Sequence, residues 1–265
     1  MKKKKSLQLT KRNSIILIVI SCLTLIILFI MLLLAFKKPI YQTVPRDKQI
    51  KEYNKNSSDG IKAVGWLRVQ GTNIDYPVIY APGVDFNNKV DDFVWTEADF
   101  KKLNNVVYIS GHNIKNLSST PLLNDNSLSR FEQLMSFVYY DFVKENQYIQ
   151  YSIDGNDYLY KVYSVYFDNI FNLDLYNNSI YTVDEKKQIV DNSLEKSIYK
   201  FDIDINENDK IISLNTCTRM FDSKQLIVNA RLVRSGEKIS LSDVKKTNEY
   251  NNVDTILKGG VSDEA

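Results

Sequence analysis

Residues able to carry chemistry are scarce in this chain. Its 265 residues include two cysteines, Cys22 and Cys217, and a single histidine, His112. Two cysteines that cannot meet exclude a disulfide framework, and no CxxC pair points to zinc or to a thioredoxin-like site. Nine glycines and five prolines are thinly spread, and none forms a phosphate-cradling loop. No carboxylates cluster at calcium-loop spacing, so neither a metal nor a cofactor is expected. Internal repeats and low-complexity tracts are also missing.

The charge is unevenly placed. Lys2, Lys3, Lys4, Lys5, Lys11 and Arg12 precede a stretch, 14–36, of 23 residues without a charge. As a helix this stretch reaches roughly 34 Å, enough to cross a hydrocarbon core of about 30 Å. A cleaved signal peptide is the alternative. Its apolar part is shorter, and small residues rather than Lys37-Lys38-Pro39 should follow it. The sequence therefore predicts a retained transmembrane helix. The heavier basic flank lies before it, which puts residues 1–13 in the cytoplasm and the remainder outside. Without the cations of the first 38 residues, 26 cations face 32 acids, so the net charge of +2 becomes −6 for 39–265. An acidic outer portion argues against a nucleic-acid partner.

The sequence divides into a basic tail (1–13), an anchor (14–36), a polar spacer (37–60), one domain (61–235) and a polar carboxyl tail (236–265). The spacer has a short helical pattern at 46–53. Strand composition marks 64–69, 74–80, 93–95, 105–110, 148–153 and 158–167, and Pro77 puts the second of these at an edge or bulge. Asp154-Gly155-Asn156-Asp157 reads as a hairpin turn. Apolar spacing predicts a helix over 128–142. Thr182-Val183-Asp184-Glu185 fits a capping box opening a second helix, with Val190, Leu194 and Ile198 on one face. Tyr160, Tyr163 and Tyr166 read as barrel wall rather than a ligand cage. The tail is expected to be disordered, apart from a turn of helix near 241–250. Many short strands and two helices give a mostly β fold, a barrel decorated with helices.

The chain is organised around Ile211-Ile212-Ser213-Leu214-Asn215-Thr216-Cys217. This reads as a buried strand ending in a cysteine where a polar loop begins, before strand composition resumes at 226–233. A strand end can hold a thiol rigidly while its sulfur meets solvent, which suits a nucleophile. A buried structural thiol is the other reading. Cys22 lies in the predicted span, so the outer portion holds one thiol and one imidazole. That leaves Cys217 and His112 as the candidate nucleophile and acid–base pair.

These residues resemble the sortase family. Gly65-Trp66-Leu67 through Gly71-Thr72-Asn73-Ile74-Asp75-Tyr76-Pro77-Val78 is similar to the opening of a sortase domain. Ser110-Gly111-His112-Asn113 resembles the sortase histidine motif. Ser213-Leu214-Asn215-Thr216-Cys217 resembles the TLxTC motif, with Ser213 in place of the first threonine. The helix before the last strands is similar to the insertion of class B sortases. The resemblance covers roughly 61–235. It implies a sortase-like β-barrel and a membrane-anchored cysteine transpeptidase of a Gram-positive surface. Such an enzyme cuts a carboxyl-terminal sorting signal of a secreted protein, holds the product as a thioester, and passes it to a peptidoglycan-precursor or pilin amine. A thiolate is the attacking form, and a neighbouring imidazolium favours it. His112 would give a proton to the departing amine and take one from the incoming amine. Thr216 packs or hydrogen-bonds beside the site.

One position departs from the family. Sortases carry an arginine at the start of the strand after the cysteine loop, where it binds substrate and steadies the oxyanion. Here that position is Gln225. Arg219 in the loop, or the Gln225 amide itself, could take the role; Arg231 is about 20 Å along the strand, too far. The bland alternative makes Gln225 an exposed strand residue and Arg219 a solvated charge. On that alternative the chain is a weakly active or inactive surface binding module on the same barrel.

Overall fold

The computed structural model describes residues 11–35, 41–57, 61–81, 93–97, 103–113, 131–169, 181–218 and 220–259. The chain separates into two compact units, Met1–Ile40 and Tyr41–Ala265. The first holds helix α1, Lys11–Ala35. Its described side chains, residues 16–29, are all exposed. Among the described residues no helix is long and apolar enough to cross a membrane.

The second unit is mostly β, as the sequence predicts. After helix α2 (Asp47–Asn56) come strands β1 (Ala63–Val69), β2 (Asp75–Tyr80), β3 (Val94–Thr96) and β4 (Val106–Gly111). A 3₁₀ helix (Glu132–Val138) and helix α3 (Tyr140–Glu145) lead to β5 (Tyr148–Ile153) and β6 (Asn156–Asn169). Then follow helix α4 (Val183–Lys196), β7 (Tyr199–Phe201), β8 (Ile211–Cys217), β9 (Lys224–Leu232), β10 (Val244–Lys246) and helix α5 (Tyr250–Gly259). Eight strands close a barrel in the order β1-β2-β3-β4-β8-β9-β6-β5, with β5 pairing back to β1. Closure removes free sheet edges.

Alternation along the strands sorts the side chains into two faces. Val107 and Ile109 of β4, Ile212 and Leu214 of β8, and Leu226, Val228 and Ala230 of β9 fill the barrel with Phe131, Leu134 and Phe137. The opposite face of β4 and β8, at Val106, Tyr108 and Ile211, is covered by Ile189 and Val190 of α4. Tyr160, Tyr163 and Tyr166 are buried wall residues.

Several expectations need correction. Helical spacing at 128–142 resolves, from residue 131 on, into a 3₁₀ helix and a short α-helix broken at Tyr139, whose ψ is 119°. Every residue of the 3₁₀ helix is buried, so it has no polar face to keep a longer α-helix regular. The Thr182–Glu185 capping box forms, but α4 buries Lys186, Ile189, Val190 and Ser193 and leaves Leu194 45% exposed. Pro77 lies between two strands rather than at an outer edge, and the bulge alternative fits better: the β1–β2 register shifts between Ala63 and Gly65, opposite Ile79 and Val78. Pro77 faces Trp66 of β1, and the parallel pairing of β2 with β3 starts only at Val78, so no ladder bond needs its missing N–H. The hairpin at Asp154-Gly155 uses positive φ at both residues, 52° and 72°.

The described parts of the spacer after residue 40, and of the tail, pack into this unit. Residues 41–57 lie on the barrel: Arg46 pairs with Asp75 at 2.6 Å, Val44 and Gln150 exchange two hydrogen bonds, and Ile50 and Tyr53 pack near Trp95. The tail folds back as β10 on β7 and as α5. The turn of helix near 241–250 is instead a strand followed by a helix starting at Tyr250. Tail polar atoms carry much of this docking. Tyr148 and Gln147 each exchange two bonds with the 240–242 segment, and Thr247 Oγ1 donates to Ser197 O. Val244, Tyr250 and Val253 add apolar burial.

Candidate active site

Strand pairing decides where the chemistry-bearing residues meet. β4 and β8 are adjacent and parallel, and each residue from Val106 to Ser110 faces the residue 105 positions later, Ile211 to Asn215. Carried two residues further, that register sets His112 beside Cys217 at the same end of the two strands. The tie continues past the ladder: Thr216 Oγ1 donates to Gly111 O at 2.7 Å, and Asn113 Nδ2 donates to Cys217 O at 3.1 Å. Thr216 is thus a buried cross-strand clasp with its hydroxyl on β4.

Cys217 ends β8 on the outer wall of the barrel and is exposed. Neighbouring atoms nevertheless crowd its sulfur, and burial pushes the thiol above its ordinary value. Accessible surface is a property of the whole residue, whereas the shift follows the atoms around sulfur, so the raised direction stands for the thiol. Desolvation by burial is the cause of this shift. It works against the thiolate, whereas the neighbouring imidazolium expected from the sequence would work for it.

Trp95 of β3 stacks against His112, ring centroids 4.8 Å apart and planes at 45°. His112 O accepts from Phe131 N at 2.9 Å. Gly111 faces the barrel interior, where a Cβ would lie 2.6 Å from Phe131 Cγ and 3.0 Å from Val94 Cγ1. Only a glycine lets Phe131 pack this closely beneath the histidine segment.

The loop after Cys217 is pinned from below. Met220 reaches the core, and Phe221 meets Phe167 edge-on at 4.8 Å. Thr218 N donates to Lys224 O, and Ser223 adopts a positive φ of 54° to close the turn. Arg219 lies outside the described residues.

Gln225 is the cross-strand partner of Cys217. It is 3% exposed, which corrects the reading of an exposed strand residue. Its Oε1 accepts from Asn215 Nδ2 at 2.7 Å. Arg231 faces Ile211 at the far end of β8 and is committed to both carboxylate oxygens of Glu237 at 2.7 and 2.8 Å. Sequence reasoning missed Asn113, Trp95 and Asn215. Asn113 stands in the sequence only as a flank, and nothing local marks Trp95 as a neighbour of His112 or Asn215 as a partner of Gln225.

Comparison with known proteins agrees with this fold. Sortase B of Staphylococcus aureus is 24% identical over 206 residues, spanning 72% of this chain and 75% of that protein. The fold is that of class B sortases. The Clostridium perfringens sortase B structure superposes with a TM-score of 0.57 at 23% identity, over 71% of this chain and all of that one. A Staphylococcus aureus sortase B–substrate complex gives 0.54 at 20% identity, over 80% and 92%. Sortase B from the type II pilus of Streptococcus pneumoniae gives 0.54 at 22%, over 69% and 96%. No family model matches the chain. This chain shares with these sortase B proteins their fold.

Proposed function

We propose that this chain is a sortase-type cysteine transpeptidase anchored in a membrane by α1, with Tyr41–Ala265 on the outer side. The observation that supports the reading is the parallel register of β4 and β8, whose continuation runs from Ser110 and Asn215 toward His112 and Cys217. A relative's complex with substrate, and a sortase B complex with triglycine, support a peptide donor and an amine acceptor as substrate classes. The apolar, exposed side chains of α1 and the basic residues before it support the anchor.

Burial favours the protonated thiol, so the first step uses a base. His112 takes the Cys217 proton as Sγ attacks the scissile carbonyl of a carboxyl-terminal sorting signal. The tetrahedral intermediate collapses, the C–N bond breaks, and His112 returns the proton to the leaving amine. A thioester on Cys217 remains. A peptidoglycan-precursor or pilin amine attacks it, loses a proton to His112, and the C–S bond breaks, restoring the thiol. Gln225 is the third position of this site, taking the role of the family arginine; Thr216 holds β8 to β4.

Full-length chain in detergent micelles, wild type and Cys217→Ala, is mixed with a library of pentapeptides, and intact mass is recorded. The expected result is an acyl adduct on the wild type alone, released to a ligated product by triglycine. Release only to water would make the chain a hydrolase. An unacylated wild type would favour the surface binding module.

A further inference from the structure

Two buried amides beside Cys217 are left half satisfied. Asn215 and Gln225 make one hydrogen bond with each other, and beyond it Asn215 Oδ1 and Gln225 Nε2 find no partner among the described residues. Both side chains are more than nine-tenths buried, at 6% and 3% exposure. Folded proteins leave few buried polar atoms unpaired, because the lost hydration is not recovered. An orphaned amide N–H next to a candidate nucleophile is a donor that a substrate oxygen can satisfy once it displaces what covers it.

The topology puts both amides on the same face as the thiol. Gln225 pairs directly with Cys217 across β8 and β9, and Asn215 precedes Cys217 by two residues, so all three side chains leave the barrel on the same outer face. Asn215 holds Gln225 by its oxygen. A carboxamide is planar, so fixing Oε1 toward Asn215 turns Nε2 away from it. Only one rotamer-flipped alternative exists, in which Gln225 donates to Asn215 Oδ1 and presents an oxygen instead. Which of the two is populated depends on Asn215 being able to donate.

We propose that Asn215 is a positioning residue: its N–H bond to Gln225 Oε1 aims Gln225 Nε2 at the carbonyl oxygen of the acyl group forming on Cys217. The amide pair thereby provides, without a charge, the donor that a lone glutamine would offer in either orientation. This inference rests on the thioester reading above. Asn215 itself never touches substrate.

The test uses full-length chain in micelles and the most reactive pentapeptide of the library. Acylation rate and its dependence on peptide concentration are measured for wild type, Asn215→Ala, Asn215→Asp, and Asn215→Asp combined with Gln225→Arg. An aspartate can only accept, so it should capture Gln225 Nε2 and turn the oxygen toward the site. The maximal acylation rate should then fall about a hundredfold, as for loss of one oxyanion donor, with half-saturation within about twofold. Asn215→Ala should fall less, since Gln225 is then free to adopt both orientations. In the double variant the arginine can bond the aspartate and still present an N–H, and the rate should recover at least tenfold. A merely structural asparagine would not give recovery from a second substitution at the substrate-facing position. Wild-type rates in both single variants, or a double variant as slow as Asn215→Asp, would overturn the proposal while leaving the thioester reading intact. Absence of any adduct on the wild type would overturn both.

Discussion

Gly111→Ala is the sharpest probe of how the histidine is held. The added methyl would sit 2.6 Å from Phe131 Cγ, 2.9 Å from its Cδ2 and 3.0 Å from Val94 Cγ1. Ordinary carbon contacts are about 3.5–4.0 Å, so close to 1 Å of clearance must be found. The ring cannot swing into solvent, because Phe131 is fully buried among Leu134 and Phe137. Nor can its backbone drift freely, since Phe131 N is bonded to His112 O. The strain therefore passes to the end of β4. Overpacking of this kind costs about 1–3 kcal/mol, or roughly 4–8 °C of melting temperature at mid-range for a unit of this size. A displacement of about 1 Å at His112 should slow acylation on the order of a hundredfold. Melting of the full-length chain in micelles and the acylation rate give the two readouts. Phe131→Leu in the same chain should return part of both losses, because the two sites share one contact. A Gly111→Ala protein with unchanged melting and rate would refute the idea that this packing sets the histidine.

Three further outcomes follow from the charges and the tail. Burial raises the Cys217 thiol, so its iodoacetamide reactivity should rise with a midpoint above the ordinary value of about 8.5; a midpoint below it would mean a preformed thiolate–imidazolium pair. Because the native thiol holds its proton more tightly than the unfolded one, this group's contribution to stability is present below that ordinary value and fades as pH climbs through the raised one. Glu237 behaves oppositely: the hydrogen bonds from Arg231 pull its carboxyl down to about 2. Its stabilisation is complete above about pH 4.3 and is lost as pH falls toward 2, and Glu237→Gln, which strands a buried guanidinium, should cost about 3 kcal/mol in denaturant titration at pH 7 and flatten that acid limb. Deleting 238–265 uncovers the surfaces buried under Val244, Tyr250 and Val253 and leaves Gln147 and Tyr148 short of partners; stability should drop on the order of 5 kcal/mol, and an unchanged denaturation midpoint would show that the tail is dispensable.

Local signals were legible where one physical effect dominated. The apolar run ending at Cys217, the Thr182–Glu185 cap and the Asp154-Gly155 turn each have a short-range cause. The tail was misread because its docking depends on backbone groups meeting Gln147 and Tyr148, and its three anchoring residues, Val244, Tyr250 and Val253, follow no single helix or strand period. Gln225 was misread for a related reason. A polar residue at the start of a strand gives no hint that Asn215, ten residues earlier, will bury it. The side-by-side placement of His112 and Cys217 depends on a parallel pairing across 105 residues, which no periodicity encodes; the family resemblance alone suggested it.

That long-range pairing has a kinetic meaning. Residues 106–111 form their ladder with a strand that the ribosome delivers more than a hundred residues later, and β8 must enter between β4 and β9 to complete the ring. Parallel, distant strand pairs form slowly, because loop closure precedes any return in contacts. A growing chain therefore carries its histidine for a long interval with no thiol beside it. When Cys217 does appear, it meets that histidine segment only as β8 docks along β4. The order of the strands thus defers the meeting of the two residues to the last third of synthesis, however early the histidine itself is made.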